Sequence, residues 1–301
     1  MKLALAILLV VATAAEARPH RPPDLSGLWT NATLTDLERP EDFKTLVIPD
    51  AEAAAYEAKH RGKPPEILDD VVGGSTSEWW ETDVGMTRIG GQARSSMITW
   101  PEDGQIPKTD AVKAARKARR ERRKVDFDNP ESRGLGERCL ETDAVAPLIL
   151  PGAYNANYQI VQTVDHIAIM AEWMHDLRII RLDRSPHLPP SQRRWTGDSV
   201  GHWEDVTLVI DTTNFTPAEV DAPNGDPTAD MHVVERLTRL ANGDLHYAFT
   251  IESPSQFKQG WRGELIFRPT KGPIYEFACH EGNYSLRGML SAARQADASG
   301  K

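Results

Sequence analysis

The second half of the chain consists of short segments in which apolar and polar residues alternate, which is the pattern of strands with one buried face. Turn sequences such as Ala241-Asn242-Gly243-Asp244 separate several of these segments. Because open strand edges favour aggregation, the pattern predicts a mainly β fold, an antiparallel meander that closes into a barrel or a strongly curved sheet. The predicted strands are residues 158–163, 166–173, 177–182, 206–213, 231–240, 245–252, 261–268 and 274–279, and a short helix follows at 284–293.

Residues 18–156 are irregular in pattern and contain many prolines and charged residues. Short strands are predicted at 24–30 and 95–100. Helices are predicted at 50–61, with Asp50 as N-cap, and at 109–124, with Thr109 or Asp110 as N-cap. We expect this N-terminal region to pack on a barrel formed by residues 157–301, so that both parts make one structural domain.

The predicted helix at 109–124 is rich in lysine and arginine. It could be a patch for a polyanion or a membrane surface, but a solvated helix face is the favoured interpretation. Too few apolar residues share one face to drive insertion into a membrane. The net charge of −9 argues against nucleic acid as a partner. The oligomeric state is left open.

The first residues have the features of a cleaved secretory signal. Lys2 precedes an apolar stretch at 3–11 that is too short to span a bilayer, and small-residue cleavage sites follow at 12–17. We therefore predict that residues 1–17 are removed and that the mature protein is periplasmic or secreted. An even number of cysteines in an oxidising compartment favours a disulfide between Cys139 and Cys279, with two buried free thiols as the alternative.

Distinctive segments occur along nearly all of the mature chain. They include RGLGERCL at 133–140, NYQIVQT at 157–163, MHDLRII at 174–180, HVVER at 232–236 and GPIYEFACHEGNY at 272–284. Together they resemble a large family of exported bacterial proteins that is mainly uncharacterised. The resemblance implies a single exported domain whose scaffold includes both cysteines. The opening strand with Trp29 and the meander also loosely resemble lipocalin-type barrels, which hold apolar or aromatic small molecules.

Two dense groups of polar side chains are candidates for chemistry. The first follows the last predicted strand and includes His280, Glu281, Asn283 and Tyr284. Residues placed after a strand end on a rigid support are often binding or catalytic groups. The second group lies at a predicted turn between strands, where a carboxylate can orient a histidine and an arginine can hold negative charge. Its members are Glu172, His175, Asp176 and Arg178.

Glu235 is a candidate because of its position in a predicted strand. Strand alternation places it on one face with Met231, Val233 and Leu237, so it is expected to point into the barrel. A buried carboxylate must be paired or protonated. A structural ion pair with Arg178 or Arg262 is therefore the alternative to a catalytic role.

Aromatic residues flank these clusters and favour recognition of an aromatic or sugar-like ligand, although each one alone is more typical of core packing. The candidate ligand-binding residues are Tyr154, Tyr158, Trp173, Trp203, Asn283 and Tyr284. Glycine-rich nucleotide-binding motifs are absent, so no nucleotide cofactor is expected. His175, His280, Glu172 and Glu281 are ligand types suited to a divalent metal, but neither His-Glu-x-x-His nor Cys-x-x-Cys occurs. We therefore predict no metal site, with a divalent metal as the less favoured alternative.

The leading hypothesis is an exported enzyme that acts on a small organic molecule by acid–base chemistry, as a lyase, isomerase or hydrolase. His175 would act as general acid or base with Asp176 or Glu172 orienting it, and Arg178 would stabilise negative charge. His280, Glu235 and Tyr284 would complete the polar part of the pocket. The alternative is a lipocalin-like binding protein or carrier for an apolar small molecule.

Overall fold

The computed structural model describes residues 22–61, 81, 84–140, 146–148, 155–183, 185–219, 222 and 224–300. The predicted signal peptide at 1–17 and the candidate Tyr154 lie outside these residues. The strands are β1 (Gly27–Thr30), β2 (Val47–Ile48), β3 (Arg88–Ile89), β4 (Gln92–Arg94), β5 (Ile98–Trp100), β6 (Asn157–Gln162), β7 (His166–Ala171), β8 (Leu177–Arg181), β9 (Asp198–Glu204), β10 (Thr207–Thr213), β11 (His232–Arg239), β12 (Leu245–Glu252) and β13 (Trp261–Pro269). The helices are α1 (Asp50–His60), α2 (Asp110–Arg123), α3 (Cys279–Gly282) and α4 (Tyr284–Ala298).

Nine of these strands close into a barrel, which confirms the predicted fold class. The order is β1-β6-β7-β8-β9-β10-β11-β12-β13, and β1 also pairs with β13 to complete the circle. β5 pairs with the first residues of β13, along the edge whose last residues pair with β1. The strand that closes the barrel therefore comes from the N-terminal part of the chain.

Tight turns join most neighbouring strands. The β11–β12 hairpin turns at Gly243, whose φ of +94° lies in the left-handed region that favours glycine. The β9–β10 hairpin turns at Asp205, which also has a positive φ of 50°. Such short connections fix the register, and the alternating burial of β11 and β12 directs one face of each strand into the barrel.

One junction of the barrel differs from the predicted antiparallel meander. β8 and β9 run parallel and are joined by two residue pairs, Ile180 with Ser199 and Arg181 with Val200. A parallel pair needs a crossover connection, and the chain between β8 and β9 supplies it. The sheet is therefore mixed, and the expectation of a purely antiparallel arrangement is wrong at this place.

The predicted strands differ from the observed ones in two further places. β9 was not predicted, because it contains Gly201 and few β-branched residues. The strand predicted at 274–279 is absent, since residues 274–278 have no regular structure and Cys279 begins α3. The helices at 50–61 and 109–124 are confirmed within a residue or two as α1 and α2.

Of the N-caps predicted for α1 and α2, only that of α2 is confirmed. The Thr109 side chain accepts a hydrogen bond from the Val112 amide at 3.3 Å, as predicted. Asp50 is the first helical residue of α1 rather than its N-cap, which is Pro49. The closing helix is longer than predicted, and α4 continues to Ala298.

The main hydrophobic core lies within the barrel, and a smaller core lies beside the sheet β2-β4-β3. Cys139 and Cys279 form a disulfide, with Cα atoms 5.6 Å apart, so the alternative of two free thiols is wrong. Within the described ranges, no helix is long and apolar enough to cross a membrane.

Candidate functional site

Glu235 and Arg178 are charged residues whose side chains lie inside the barrel. Glu235 shares the inward face of β11 with Val233 and Leu237 and is 0% exposed, which confirms the prediction that it points inward. Arg178 shares the inward face of β8 with Ile180 and is 2% exposed. Charged groups are rarely buried this completely unless they are paired.

Arg178 and Glu235 pair with each other. The distance from Arg178 Nη2 to Glu235 Oε2 is 2.8 Å, so Arg178 is the partner among the two arginines considered from the sequence. The other carboxylate oxygen, Oε1, accepts a hydrogen bond of 2.6 Å from the Tyr247 hydroxyl. Breaking such a buried pair by removing one partner is expected to cost about 3–5 kcal/mol.

The pairing leaves the guanidinium of Arg178 incompletely satisfied. No acceptor in the described part of the chain makes a hydrogen bond with its Nε, Nη1 or Nη2. The contact with Glu235 is close, but the N–H bonds of Nη2 do not point at Oε2. Because each buried donor left unsatisfied costs about 1–3 kcal/mol, this group is suited to receive an acceptor from another molecule.

Tyr247 connects the ion pair to Leu148 and, through it, to Asn31. Its hydroxyl accepts a hydrogen bond of 2.7 Å from the Leu148 amide, while the Leu148 carbonyl accepts one of 3.3 Å from Asn31 Nδ2. Complete burial, reinforced by the negative charge of Glu235, raises the pKa of Tyr247 well above its usual value of 10.0. The phenol therefore stays neutral and acts as a donor to the carboxylate.

Aromatic rings surround this polar group. Tyr247 packs edge-on against Phe267 with ring centres 5.4 Å apart, and Tyr158 contacts the same ring at 5.3 Å. Phe249 lies opposite Glu235 in the register of β11 and β12 and packs against Trp261. The indole nitrogen of Trp261 is a second buried donor without an acceptor in the described residues. The interior therefore combines flat apolar surfaces with N–H donors.

Glu172 and His175 lie at the β7–β8 turn and contact main-chain atoms. The Glu172 carboxylate accepts hydrogen bonds from Asn157 Nδ2 at 2.8 Å and from the Tyr275 amide at 3.1 Å. His175 Nε2 lies 3.0 Å from the Tyr275 carbonyl oxygen. The Trp173 ring packs on Phe277 with ring centres 4.9 Å apart. These contacts hold residues 275–277 against the turn.

The backbone of this turn is unusual. Met174 and His175 both have φ of 55°, a left-handed conformation that costs non-glycine residues about 1 kcal/mol or more. Asp176 closes the turn, because its carbonyl accepts a hydrogen bond of 2.9 Å from the Ala171 amide. Contacts between this turn and residues 275–277 of the same chain offset this strain.

The C-terminal cluster is separate from the barrel interior. His280 is exposed on α3, and Tyr284 is 80% exposed at the start of α4. Asn283 Nδ2 donates to the Glu137 carbonyl at 2.8 Å, and its oxygen accepts from the Leu286 amide at the start of α4. Asn283 therefore joins α4 to the segment that carries Cys139, beside the disulfide.

The structure divides the sequence-predicted site residues among several places. Arg178, Glu235 and Tyr158 lie in the interior, and Trp203 is partly buried against the same core. Glu172, Trp173, His175 and Asp176 belong to the β7–β8 turn, and His280, Asn283 and Tyr284 to the C-terminal helices. The contacts do not unite His175 and His280 with the Arg178–Glu235 pair.

Sequence reasoning did not identify Tyr247 and a second polar network outside the barrel. His187 Nδ1 lies 3.0 Å from Asp198 Oδ2, and its Nε2 lies 3.0 Å from Asp211 Oδ1. His232 Nε2 lies 3.0 Å from the other oxygen of Asp211. The available signals were the polar residues of β10 and β11 and the proline-rich segment Pro186-His187-Leu188-Pro189-Pro190, but these come together only through the β8–β9 crossover.

No set of His, Cys, Asp and Glu side chains suited to a metal ion occurs among the residues that the structure describes. The expectation that no metal site exists stays a prediction for the whole protein. Comparison with protein-family models gives no match, and comparison with curated proteins gives none either.

Proposed function

We propose that this protein binds a small organic molecule inside its barrel, as lipocalin-type proteins do. The observation that carries the proposal is the guanidinium of Arg178, which is 2% exposed and whose N–H groups have no well-directed acceptor in the described residues. The aromatic side chains around Tyr247, which bonds the partner carboxylate Glu235, suit a flat apolar ligand body. A ligand oxygen placed at Arg178 would satisfy donors that are otherwise costly to bury.

The charge of the site favours an uncharged ligand. Arg178 and Glu235 neutralise each other at 2.8 Å, so a carboxylate ligand would leave a net negative charge in the interior. Burying an uncompensated charge is far more costly than burying a hydrogen-bonded neutral acceptor. The favoured ligand therefore has an aromatic or apolar body and a neutral acceptor such as a ketone, ester or amide carbonyl.

The acid–base enzyme hypothesis has weaker support. It needs His175, His280, Arg178 and Glu235 to act together, but their contacts lie in three different places. The Arg178–Glu235 pair is shielded from water, and His175 contacts the main chain near Tyr275. Binding without chemistry is the function that the geometry supports better.

The disulfide supports an extracytoplasmic location. Disulfides persist in oxidising compartments such as the bacterial periplasm or the extracellular medium. This agrees with the signal predicted at residues 1–17. We propose that the protein is exported and binds its ligand there.

A panel of matched aromatic ligands tests the proposal. The methyl ester, the amide and the carboxylate of one naphthoic acid would be titrated into the wild-type protein, with tryptophan fluorescence and native mass spectrometry as readouts. We expect the ester and amide to bind at least about tenfold more tightly than the carboxylate, which corresponds to about 1.4 kcal/mol. Absence of binding by the neutral members, or preference for the carboxylate, would contradict the proposal.

A further inference from the structure

The β8–β9 junction leaves one side of β8 unpaired next to Arg178. The pairing with β9 begins at Ile180, so the stretch of β8 from Leu177 to Ile179 has no partner on that side in the described sheet. On its other side this stretch pairs with β7 as far as Leu177. The barrel wall is therefore incomplete beside the guanidinium that the proposed ligand would contact.

Hydrogen bonds attach the crossover between β8 and β9 to the strands at this junction. The Leu188 amide donates to Asp198 Oδ2 at 2.9 Å, and Asn214 Nδ2 donates to the Leu188 carbonyl. His187 contacts Asp198 on β9 and Asp211 on β10, both at 3.0 Å. Arg181, at the end of β8, forms an ion pair of 3.0 Å with Asp198. The Asp198 carboxylate on β9 therefore contacts both β8 and the crossover.

The contacts of His187 depend on its proton count. Each of its two ring nitrogens faces a carboxylate oxygen at 3.0 Å, and a carboxylate can only accept. Both contacts are therefore hydrogen bonds only when both ring nitrogens carry a proton. Loss of one proton turns one contact into a repulsion between two acceptors.

The two carboxylates that face His187 both have lowered pKa values. Burial opposes ionisation of Asp198, but hydrogen bonds from the Leu188 amide and His187 outweigh it and lower the pKa of Asp198. Burial also opposes ionisation of Asp211, yet hydrogen bonds from His232 and His187 lower its pKa. The hydrogen bond to Asp211 raises the pKa of His232 above 6.5. The charged groups that face the network from the neighbouring strands are Arg181, Asp198, Asp211, His232 and Glu252.

We propose that this network is a proton-controlled latch on the β8–β9 junction: it holds the crossover closed while His187 is doubly protonated, and it releases the crossover when that proton leaves. Release would loosen the contact of β8 with β9 and the crossover and give a ligand a route to Arg178. The role in ligand entry rests on the proposed binding function, whereas the opening itself does not.

The pKa shifts of His232, Asp198 and Asp211 determine how the stability of this network depends on pH. The raised pKa of His232 gives stability that is present below 6.5 and is lost as the pH rises through the higher folded value. The lowered pKa values of Asp198 and Asp211 give stability that is present above 3.8 and is lost as the pH falls through the lower folded values. The contacts of His232, Asp198 and Asp211 are therefore most stabilising in mildly acidic solution, and the contribution of His232 is lost as the pH rises.

Hydrogen exchange of the unliganded protein tests the latch. After correction for intrinsic exchange rates, amides of residues 185–190 and of β8 are expected to lose at least about tenfold protection between about pH 5 and pH 8, while β12 stays unchanged. In His187→Gln both N–H donors are on one nitrogen, which cannot reach the two carboxylates on opposite sides of the ring, so protection should be low at both pH values. The matched control is His202→Gln on the outer face of β9, which should behave as wild type.

Equal protection at both pH values in the wild type, or an unchanged pH response in His187→Gln, would overturn the latch. If His187→Gln does not fold, Asp211→Asn replaces it: an amide can accept from a protonated His187 nitrogen or donate to a deprotonated one, so the difference in protection between the two pH values should shrink. Ligand association rates at the two pH values test the entry route. A faster association rate at the higher pH supports the entry route. If hydrogen exchange shows that the latch opens but the two association rates are equal, the entry route is overturned. A protein that opens but binds none of the naphthoic ligands refutes the proposed function and leaves the latch intact.

Discussion

At the scale of single residues, the interior ion pair shows what strand alternation can predict. Glu235 was placed inward because Val233 and Leu237 share its face, and Arg178 was one of two arginines considered as its partner. The missing acceptors of Arg178 have no sequence signal, since they depend on where the facing side chains end. Tyr247 was not recognised because its position in β12 fits simple core packing.

Removing Arg178 alone should destabilise the protein more than removing the pair. Arg178→Met leaves Glu235 as an unpaired buried carboxylate, and we expect the free energy of unfolding to fall by about 3–5 kcal/mol in urea titration. In the double variant Arg178→Met with Glu235→Met, we expect a value close to wild type or higher. A single variant that loses less than about 1 kcal/mol would show that the pair is not buried as described.

At the scale of elements, strands with strong alternation were predicted well, and those shaped by long-range contacts were not. β12 was predicted with its observed bounds, and β11 within a residue at each end. β9 is held by its neighbours on both sides rather than by its own propensity. The apolar alternation at 274–278 reflects packing on the β7–β8 turn, where Phe277 meets Trp173, and the disulfide at Cys279.

Close packing between β12 and β13 requires a glycine. Phe249 lies opposite Gly263, and a Cβ at Gly263 would come within 2.4 Å of the Phe249 ring and 2.9 Å of the Met97 carbonyl oxygen. We expect Gly263→Ala to lower the free energy of unfolding by about 1–3 kcal/mol. Gly288→Ala in α4 meets no atom within 4 Å and should be neutral or slightly stabilising. Equal effects of the two changes in urea titration would count against the described packing.

The disulfide joins segments that are 140 residues apart in sequence. Constraining a loop of this length in the unfolded chain is worth about 5 kcal/mol in the loop-entropy model. We expect the double variant Cys139→Ser with Cys279→Ser to lose several kcal/mol in equilibrium unfolding, and reduction of the wild type to have a similar effect. A melting temperature that reduction leaves unchanged would contradict this expectation.

At the scale of the whole molecule, the barrel and its closure were predictable in kind, because a long meander must remove its edges. The candidate site was predictable only in part. The sequence clusters at 172–178 and 279–284 are dense in polar groups, yet the structure uses many of them to hold residues 275–277 and α4 in place. Residues that are adjacent in sequence at a strand end face different sides, so Arg178 enters the interior while Leu177 faces solvent.

In the proposed function, Arg178 binds a neutral hydrogen-bond acceptor of the ligand inside the barrel. This interaction is tested most directly by the affinity of methyl naphthoate for the double variant Arg178→Met with Glu235→Met, measured by calorimetry beside the wild type. The matched control is Glu204→Gln with Arg236→Gln, which removes an exposed ion pair of 2.6 Å from the outside of the same barrel. We predict that the interior variant loses about tenfold or more in affinity and that the control loses none. Equal affinity of the interior variant and the wild type would contradict the account.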